Sequence, residues 1–248
     1  MAAAAGVKMD EDSLYSHLHD GRRQCWQLTE TVADFIKRLP PSTAQMDNVG
    51  PWLFVRNPKD TINNNAGNLP DLVSTGTALL RAFENAKSQL EADHALTKSK
   101  TFAPLTRKLN TLRRKLENDI SVAAQKAGVI TGKWMLFPPP DQVDEVWATV
   151  AGATTSGQLG VGAKVATRDP DSLGRDRLIA VYTKDYRDIK DVQRVLSKLI
   201  NLGLVNQMQD KPIYYKIDAY TYLEIQGNNP YGLRASRFSS RDLLPGEG

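Results

Sequence analysis

The chain has 248 residues, of which 41% are hydrophobic and 24% charged, a balance typical of a globular protein with a sizeable core. A single cysteine, Cys25, excludes an intramolecular disulfide, and no apolar run approaches the roughly 18–20 residues that cross a bilayer. The net charge of +4 is compatible with a phosphate-bearing partner but identifies none. Because the N-terminus also lacks the basic-then-apolar order of a secretory signal, these features favour a cytoplasmic or nuclear location.

The first half of the chain begins with a segment, residues 1–12, whose small and polar residues are typical of disorder. Apolar residues at near-helical spacing predict a helix over Gln24–Leu39, which ends at two prolines. Trp52–Val55 predicts a buried strand, and the Asn- and Pro-rich segment Asn57–Pro70 predicts a long loop.

Two helices are predicted next, one within Leu72–Leu90 and one over Pro104–Ala127. The second has the clearest pattern, because apolar residues recur every three or four positions and Gly128 follows as a C-terminal stop. Its apolar stripe consists of Leu105, Leu109, Leu112, Leu116, Ile120 and Ala123.

The second half alternates strands and helices. Strands are predicted over Lys133–Phe137, Gln158–Thr167 and Arg177–Thr183, with one or two more within Tyr214–Ile225. Asp141 and Asp188 are predicted to N-cap the two helices between them. Since a loop, Arg168–Asp176, joins two successive strands, the sheet is at least partly antiparallel. We predict an α+β fold in which a curved, mostly antiparallel sheet is backed by helices, as a single domain over residues 13–248.

The order of several short motifs resembles the cap-binding translation initiation factor 4E family. They are Trp52–Asn57, Gly132–Leu136, a helix that carries Trp147, Lys164–Arg168 with the basic loop behind it, and Ile179–Thr183. A closer similarity is to the family of the basophilic leukaemia-expressed protein, whose fold resembles the cap-binding one. That similarity rests on Gly132–Trp134, Ala163–Val165, Val181–Thr183, Tyr220–Leu223 and Ser236–Phe238. This family carries no established activity, so the resemblance implies a fold and not a function.

The cap-binding resemblance implies a set of phosphate-binding cations. Arg168 matches the arginine that grips phosphate in that family, and Arg175 or Arg177 falls where a second cation would lie. Lys133 matches a basic residue near the phosphates, and Tyr182 replaces a tryptophan that lies against the methylated base.

The tryptophan pair that sandwiches the base in cap-binding proteins is missing. Neither Pro58–Gly67 nor Gln125–Ile130, where the two rings would stand, contains an aromatic residue. Each ring contributes on the order of 1–2 kcal/mol of cation–π stabilisation, and stacking contributes about 1–3 kcal/mol per base. The resemblance therefore implies phosphate binding without specific cap recognition.

Several of these residues also have plain structural interpretations. The tryptophans at positions 52, 134 and 147 are expected to pack in the core, since aromatic residues dominate core burial. Lys133 could protect a sheet edge from aggregation. The aspartates interleaved with the arginines of the loop, at positions 169, 171 and 176, could neutralise it.

Two further surfaces are candidates for nucleic-acid contact. The run from Lys98 to Lys115 contains seven cations and no acid, and it predicts a basic outer face on the second long helix or an ordinary solvated surface. Four tyrosines, Tyr214, Tyr215, Tyr220 and Tyr222, alternate as strand residues do. Half of them would face the core and half could form an aromatic platform.

Catalytic signals are weak. His17 and His19 lie near the N-terminus, Cys25 has no evident histidine partner, and no metal-ligand spacing appears. The glycine-rich segment Gly157–Gly162 opens a strand instead of a helix, which argues against a dinucleotide site. The sequence favours binding over catalysis and predicts no cofactor and no metal.

Two functions remain open. The first is a module that binds RNA or a nucleotide and does not catalyse. Its predicted phosphate contacts are Lys133, Lys164, Arg168, Arg175 and Arg177, and its base-contact candidates are Tyr182 and Tyr222. The second is a protein-interaction adaptor that uses the helical face of the sheet. Neither involves a membrane or predicts an oligomeric state, and salt should weaken the first far more than the second.

Overall fold

The structure, a computed structural model, describes residues 21–60, 67–97, 101–172, 174–206 and 211–244. The predicted disorder of residues 1–12, His17 and His19, and the centre of the predicted Asn57–Pro70 loop lie outside these residues. The helices are α1 Val32–Arg38, α2 Met46–Val49, α3 Leu69–Leu96, α4 Ala103–Lys126, α5 Val143–Thr155, α6 Ile189–Asn201, α7 Asp218–Tyr222 and α8 Ser240–Leu243. The strands are β1 Trp52–Arg56, β2 Gly132–Leu136, β3 Gly162–Ala166, β4 Ile179–Thr183, β5 Tyr214–Ile217 and β6 Phe238–Ser239.

The fold class is α+β, as the sequence predicts. The described strands form one open antiparallel sheet in the order β1-β3-β4-β2-β5-β6. The neighbouring strands β3 and β4 are joined by a loop, which is the connection that led to the antiparallel prediction. The curvature of the sheet and its likeness to the cap-binding fold stay predictions.

The chain divides into two compact units. Unit 1 consists of the described parts of Met1–Asp60 and Leu136–Val181, and unit 2 of those of Thr61–Met135 and Tyr182–Gly248. The assignment of residues 13–248 to a single domain stays a prediction.

In unit 1 the core lies between α5 and one face of the β1–β3 pair. Leu53 and Val55 of β1 pair with Val165 and Ala163 of β3, and all four side chains are buried. Trp147 of α5 is fully buried, which confirms its predicted place in the core. The alternating residues Trp52, Phe54 and Lys164 are partly exposed, because successive strand side chains point to opposite faces. Arg56, at the end of β1, is the exception and is 8% exposed.

In unit 2 the long helices α3 and α4 pack against each other. The predicted leucine stripe of α4 is buried in the C-terminal half of the helix, at Leu116 and Ile120. Gly128 ends the hairpin with a φ of +71°, a conformation that glycine adopts without strain. Trp134 of β2 is fully buried, as predicted, and its Nε1 donates to the Val192 carbonyl of α6 at 3.0 Å. A glycine of α3, Gly76, lies so close to the Leu223 side chain that an added Cβ would be 2.4 Å from it.

The predicted helix over Gln24–Leu39 is wrong in its first half. Cys25 forms a parallel bridge with Phe54 instead, in which Trp26 N donates to the Phe54 carbonyl at 2.9 Å and Phe54 N donates to the Gln24 carbonyl at 3.0 Å. The helix begins at α1, where the Thr31 hydroxyl accepts from Asp34 N and caps it. Pairing with a distant strand therefore overrides the local helical pattern.

The N-cap prediction is right for one helix and wrong for the other. Asp188 caps α6 by accepting from Asp191 N at 3.1 Å. The residue before α5 is Gln142, which makes no side-chain cap, so Asp141 does not have the predicted role.

One strand forms within Tyr214–Ile225, which is the smaller number of the one or two predicted there. Only β5 forms in that described segment, and α7 follows it directly. Tyr220 and Tyr222 therefore lie on a short helix, so the strand-like alternation of the four tyrosines does not exist. Tyr214 and Tyr222 are 44% and 45% exposed, while Tyr215 and Tyr220 are buried.

Candidate phosphate-binding site

The predicted site residues fall in different parts of the molecule. Lys164, Arg168, Arg175 and Arg177 belong to unit 1, whereas Lys133, Tyr182 and Tyr222 belong to unit 2. Each group is therefore described within its own unit.

A stripe of cations and aromatic rings lines the outer face of the β1–β3 pair in unit 1. Along β3 and the residues after it, Ala163, Val165 and Thr167 are buried while Lys164 and Arg168 are partly exposed. Arg168 continues the alternation because its backbone is still extended and forms a bridge with Gln45. Lys164 and Arg168 thus share one face of the strand.

The aromatic members of this face come from β1. Trp52 pairs with Ala166 and Phe54 pairs with Lys164, so both rings lie on the same face as the two cations. The Lys164 Nζ lies 3.9 Å from the centroid of the Trp52 ring, a cation–π contact, and both residues are partly exposed. We call Trp52, Phe54, Lys164 and Arg168 the Trp52 face. The expectation that Trp52 packs in the core is met only in part, because Trp52 is partly exposed on the side of β1 opposite Leu53 and Val55.

Both backbone polar groups of Arg168 form hydrogen bonds. Its N–H donates to the Ala44 carbonyl at 2.7 Å, and its own carbonyl accepts from Met46 N at 2.9 Å. The preceding residue, Thr167, donates its hydroxyl to the Gly50 carbonyl at 2.7 Å. A fixed backbone beneath a partly exposed guanidinium preorganises that cation for a ligand.

Arg177 is part of the support of this loop. It is 8% exposed, its NH1 donates to the Thr167 carbonyl, and its N–H donates to the Pro138 carbonyl at 2.9 Å. Burial, followed by the positive charge of Arg168, lowers the pKa of Arg177, and Asp169 and Asp144 oppose that shift. We therefore place Arg177 beneath the site and not on its surface.

The exposed cations of the loop form no ion pairs with its aspartates in the part of the chain that the structure describes. Arg175 is exposed, and neither Arg168 nor Arg175 makes an ion pair with any carboxylate in the described part of the chain. Asp169 accepts from the backbone N of Asp171 at 3.0 Å. Arg168 and Arg175 are therefore available to an anion.

Lys133 in unit 2 lies in a buried cluster. Its strand β2 stands between β4 and β5 in the sheet, so the sheet-edge interpretation is wrong. Lys133 is 5% exposed, and its Nζ donates to Asp218 Oδ1 at 2.5 Å and to Thr221 Oγ1 at 2.9 Å. The other oxygen of Asp218 accepts from the Thr131 hydroxyl. The charge of Lys133 is matched within the protein.

The two tyrosine candidates lie beside this cluster. The Lys133 Nζ is 5.5 Å from the centroid of the Tyr182 ring, and burial, with a contribution from Asp218, raises the pKa of Tyr182. Tyr222 ends α7 with 45% of its surface exposed, and burial and Asp218 also raise its pKa. Lys216 is the cross-strand partner of Lys133, and burial together with the Lys133 charge lowers the pKa of Lys216.

The basic outer face predicted for the second long helix is present where it is described. Arg107, Lys108 and Arg114 of α4 are exposed, whereas Arg113 turns inward and donates to the Tyr231 carbonyl at 3.1 Å. Lys98 and Lys100 lie outside the described residues.

Sequence reasoning missed the role of Trp52 and Phe54 on the outer face. The sequence holds no clear signal for this position, because Trp52, Leu53, Phe54 and Val55 are all apolar and no alternation with polar residues marks one face of the strand. Read as a continuous apolar run, the segment predicts burial on both faces.

Among the helices that the structure describes, none is both long enough and apolar enough to pass through a membrane.

The similarity predicted from short motifs extends over most of the sequence. A family model described as basophilic leukemia-expressed protein Bles03 matches residues 2–224. The matched region includes the Trp52 face, the loop that follows β3 and the Lys133–Asp218 cluster. Because the match covers well over half of the chain, the protein belongs to the basophilic leukemia-expressed protein Bles03 family.

Proposed function

We propose that unit 1 is a non-catalytic module that binds single-stranded RNA or a nucleotide through the Trp52 face and Arg175. The observation that carries this proposal is the partly exposed Trp52 ring, whose centroid lies 3.9 Å from the Lys164 Nζ. Trp52 pairs with Ala166, the last residue of β3, and the loop that follows β3 contains Arg168 and Arg175. Aromatic rings beside guanidinium groups are the usual means by which proteins bind single-stranded nucleic acid.

In this proposal the Trp52 ring binds the base and the arginines bind the phosphates. A base stacks on the outer part of the Trp52 ring, since every base has a π face, and Arg168 and Arg175 bind phosphates. With a single tryptophan in place of a pair, binding is expected to show little preference for a methylated cap over another nucleotide. Lys133 and Arg177, both buried and hydrogen-bonded, are left out of the contact surface.

The test is the anisotropy of a fluorescent single-stranded oligonucleotide titrated with the full chain at several salt concentrations, with GTP and a methylated cap analogue as competitors. Trp52→Leu is expected to cost about 1–3 kcal/mol of binding free energy, and Trp52→Phe less, because the ring is retained. Arg168→Gln and Arg175→Gln should each reduce the slope of log affinity against log salt by about 0.7, the value for one single-strand phosphate contact.

The matched control is the pair Arg107→Gln and Arg114→Gln, which removes two exposed cations of α4 and changes the net charge equally. The proposal predicts that these variants bind like the wild type. Loss of binding in the α4 variants with full binding in the Arg168 and Arg175 variants would move the site to α4. Absence of binding at low salt would refute the proposal and favour the protein-interaction adaptor.

A further inference from the structure

A second basic surface lies in unit 2, and most of its residues follow residue 224, where the family match ends. It is a cleft of about 480 Å³ between the start of β5 and the segment that carries β6 and α8. Its lining includes Arg234, Arg237, Arg241, Tyr214, Ser236 and Phe238. A second cavity of about 350 Å³ shares Arg234 and Arg237 with it and reaches Glu117. We call the larger one the arginine cleft.

The charge of the arginine cleft is positive. All three arginines are exposed, and neither Arg234 nor Arg237 makes an ion pair with a carboxylate among the described residues. The one acid in its lining is Asp242, which is turned to the start of α8 and accepts from Ser239 N at 2.8 Å. That hydrogen bond, with one from the Ser239 side chain, lowers the pKa of Asp242. Two guanidinium groups without an ion pair, those of Arg234 and Arg237, thus share the cleft lining with one carboxylate that is already hydrogen-bonded.

Several arginines around one cleft are suited to a phosphate group. The planar guanidinium donates two parallel hydrogen bonds to neighbouring phosphate oxygens, and a phosphate dianion accepts from more than one arginine. The hydroxyl of Ser236 adds a neutral donor to the same lining. A carboxylate ligand would use fewer of these donors.

The aromatic rings of the cleft add an apolar surface to the arginines. Phe238 is flanked by the guanidinium of Arg237 at 5.8 Å from its ring centroid and by the Tyr215 ring at 6.0 Å. Tyr214, 44% exposed, is the ring of the cleft lining with the more open surface, and it offers a packing surface to an apolar side chain of a peptide as well as to a base.

Two residues of an edge strand, Phe238 and Ser239, also line the cleft. β6 is the last strand of the sheet, and Tyr214 of β5 pairs with Ser239 of β6 in the wall of the cleft. An extended segment laid beside an edge strand is a recurrent way of binding peptides. We propose that the arginine cleft binds a phosphorylated, extended peptide segment of a partner protein, with Arg234 and Arg237 as the phosphate contacts.

This inference is independent of the proposed RNA or nucleotide binding. It uses residues of unit 2, whereas the Trp52 face and Arg175 belong to unit 1. Variants of one site are therefore expected to leave the other activity unchanged, and failure of one proposal does not bear on the other.

The experiment passes degenerate peptide libraries with a fixed central phosphoserine, phosphothreonine or phosphotyrosine over the immobilised full chain, next to the same libraries without phosphate. The double variant Arg234→Gln/Arg237→Gln removes the contacts, and Arg234→Lys/Arg237→Lys keeps the charge without the bidentate geometry. The control is Arg107→Gln/Arg114→Gln, with the same loss of charge on exposed residues of the same unit. Unchanged circular dichroism and urea midpoints verify that each variant is folded.

The expected result is retention of a phosphorylated library by the wild type and the α4 control. The glutamine double variant should retain it at least about tenfold more weakly, because it loses charge-assisted hydrogen bonds to the phosphate. The lysine variant should fall between them. Equal retention of phosphorylated and unphosphorylated libraries, full retention by the glutamine variant, or no retention would each overturn the proposal. So would a single-stranded oligonucleotide whose binding is lost in the glutamine variant while no phosphopeptide is retained.

Discussion

Replacing Asp218 by Asn tests whether burial makes the Lys133–Asp218 ion pair indispensable to the stability of unit 2. The side chains are 6% and 9% exposed and their N···O distance is 2.5 Å. The variant leaves the Lys133 ammonium buried without its counter-ion, and breaking a buried pair in this way costs about 3–5 kcal/mol. That is a large part of the roughly 5–15 kcal/mol by which most domains are stable.

The chain offers a control with the same distance and a different environment. Lys115 and Asp119 of α4 also lie 2.5 Å apart, but their side chains are 71% and 27% exposed. Asp119→Asn is expected to cost about 0.3–0.5 kcal/mol, the value for an exposed pair one helical turn apart. The double variant Lys133→Met/Asp218→Leu should recover most of the loss, because two apolar side chains leave no buried charge.

The assay is urea unfolding followed by circular dichroism and by tryptophan fluorescence, since Trp134 lies on the same strand as Lys133. Two transitions, if the units unfold separately, are fitted separately. Equal costs for Asp218→Asn and Asp119→Asn would refute the argument from burial. A double variant as unstable as Asp218→Asn would show that packing, and not the uncompensated charge, is responsible.

Two further predictions concern backbone space and alkaline pH. Gly76→Ala should destabilise the protein by about 1–3 kcal/mol, because the added Cβ meets the side chain of Leu223. Gly152→Ala in α5 should stabilise it by about 0.5–1 kcal/mol, because a Cβ there meets nothing within 4 Å. Urea unfolding should therefore give changes in the free energy of unfolding of opposite sign for the two variants. Burial, and then the carboxylate of Glu117, raises the pKa of Tyr220 to about 12 from about 10 in the unfolded chain. The neutral phenol therefore stabilises the fold fully below pH 10, and this contribution, at most about 3 kcal/mol, is lost as the pH rises through 12. Tyr220→Phe should remove that part of the alkaline decline, and an unchanged decline would contradict it.

The regular elements that rest on local patterns could be predicted from the sequence. The leucine spacing located α4, Asp188 located the start of α6, and Gly128 located the end of the helical hairpin. In each case the interactions that form the element lie within a few residues along the chain. Local propensity and tertiary structure agree at these positions, and therefore the helices and their ends could be predicted from the sequence.

The errors arise where distant residues compete with local pattern. Gln24–Trp26 has apolar spacing typical of a helix, yet it pairs with Phe54, about thirty positions away. The tyrosines at 220 and 222 have strand-like spacing, yet Asp218 before them binds Lys133 across the sheet and a helix begins there. No window of neighbouring residues contains either partner. Long-range contacts of this kind could not be predicted from the spacing of apolar residues.

The cations that were predicted to bind phosphate show the same division between local pattern and long-range contacts. A basic residue binds a ligand only if its charge is both exposed and unmatched, and the sequence reveals neither property. Lys133 was grouped with Arg168 because both match basic positions of one family, but the first is matched by Asp218 and the second has no ion-pair partner in the described chain. Arg234 and Arg237 stood outside that group because no motif of the cap-binding family includes them. Burial and ion pairing therefore decide which cations can form a site. The two proposed surfaces are best tested by arginine-to-glutamine variants at the site, compared with variants on α4 that change the net charge equally.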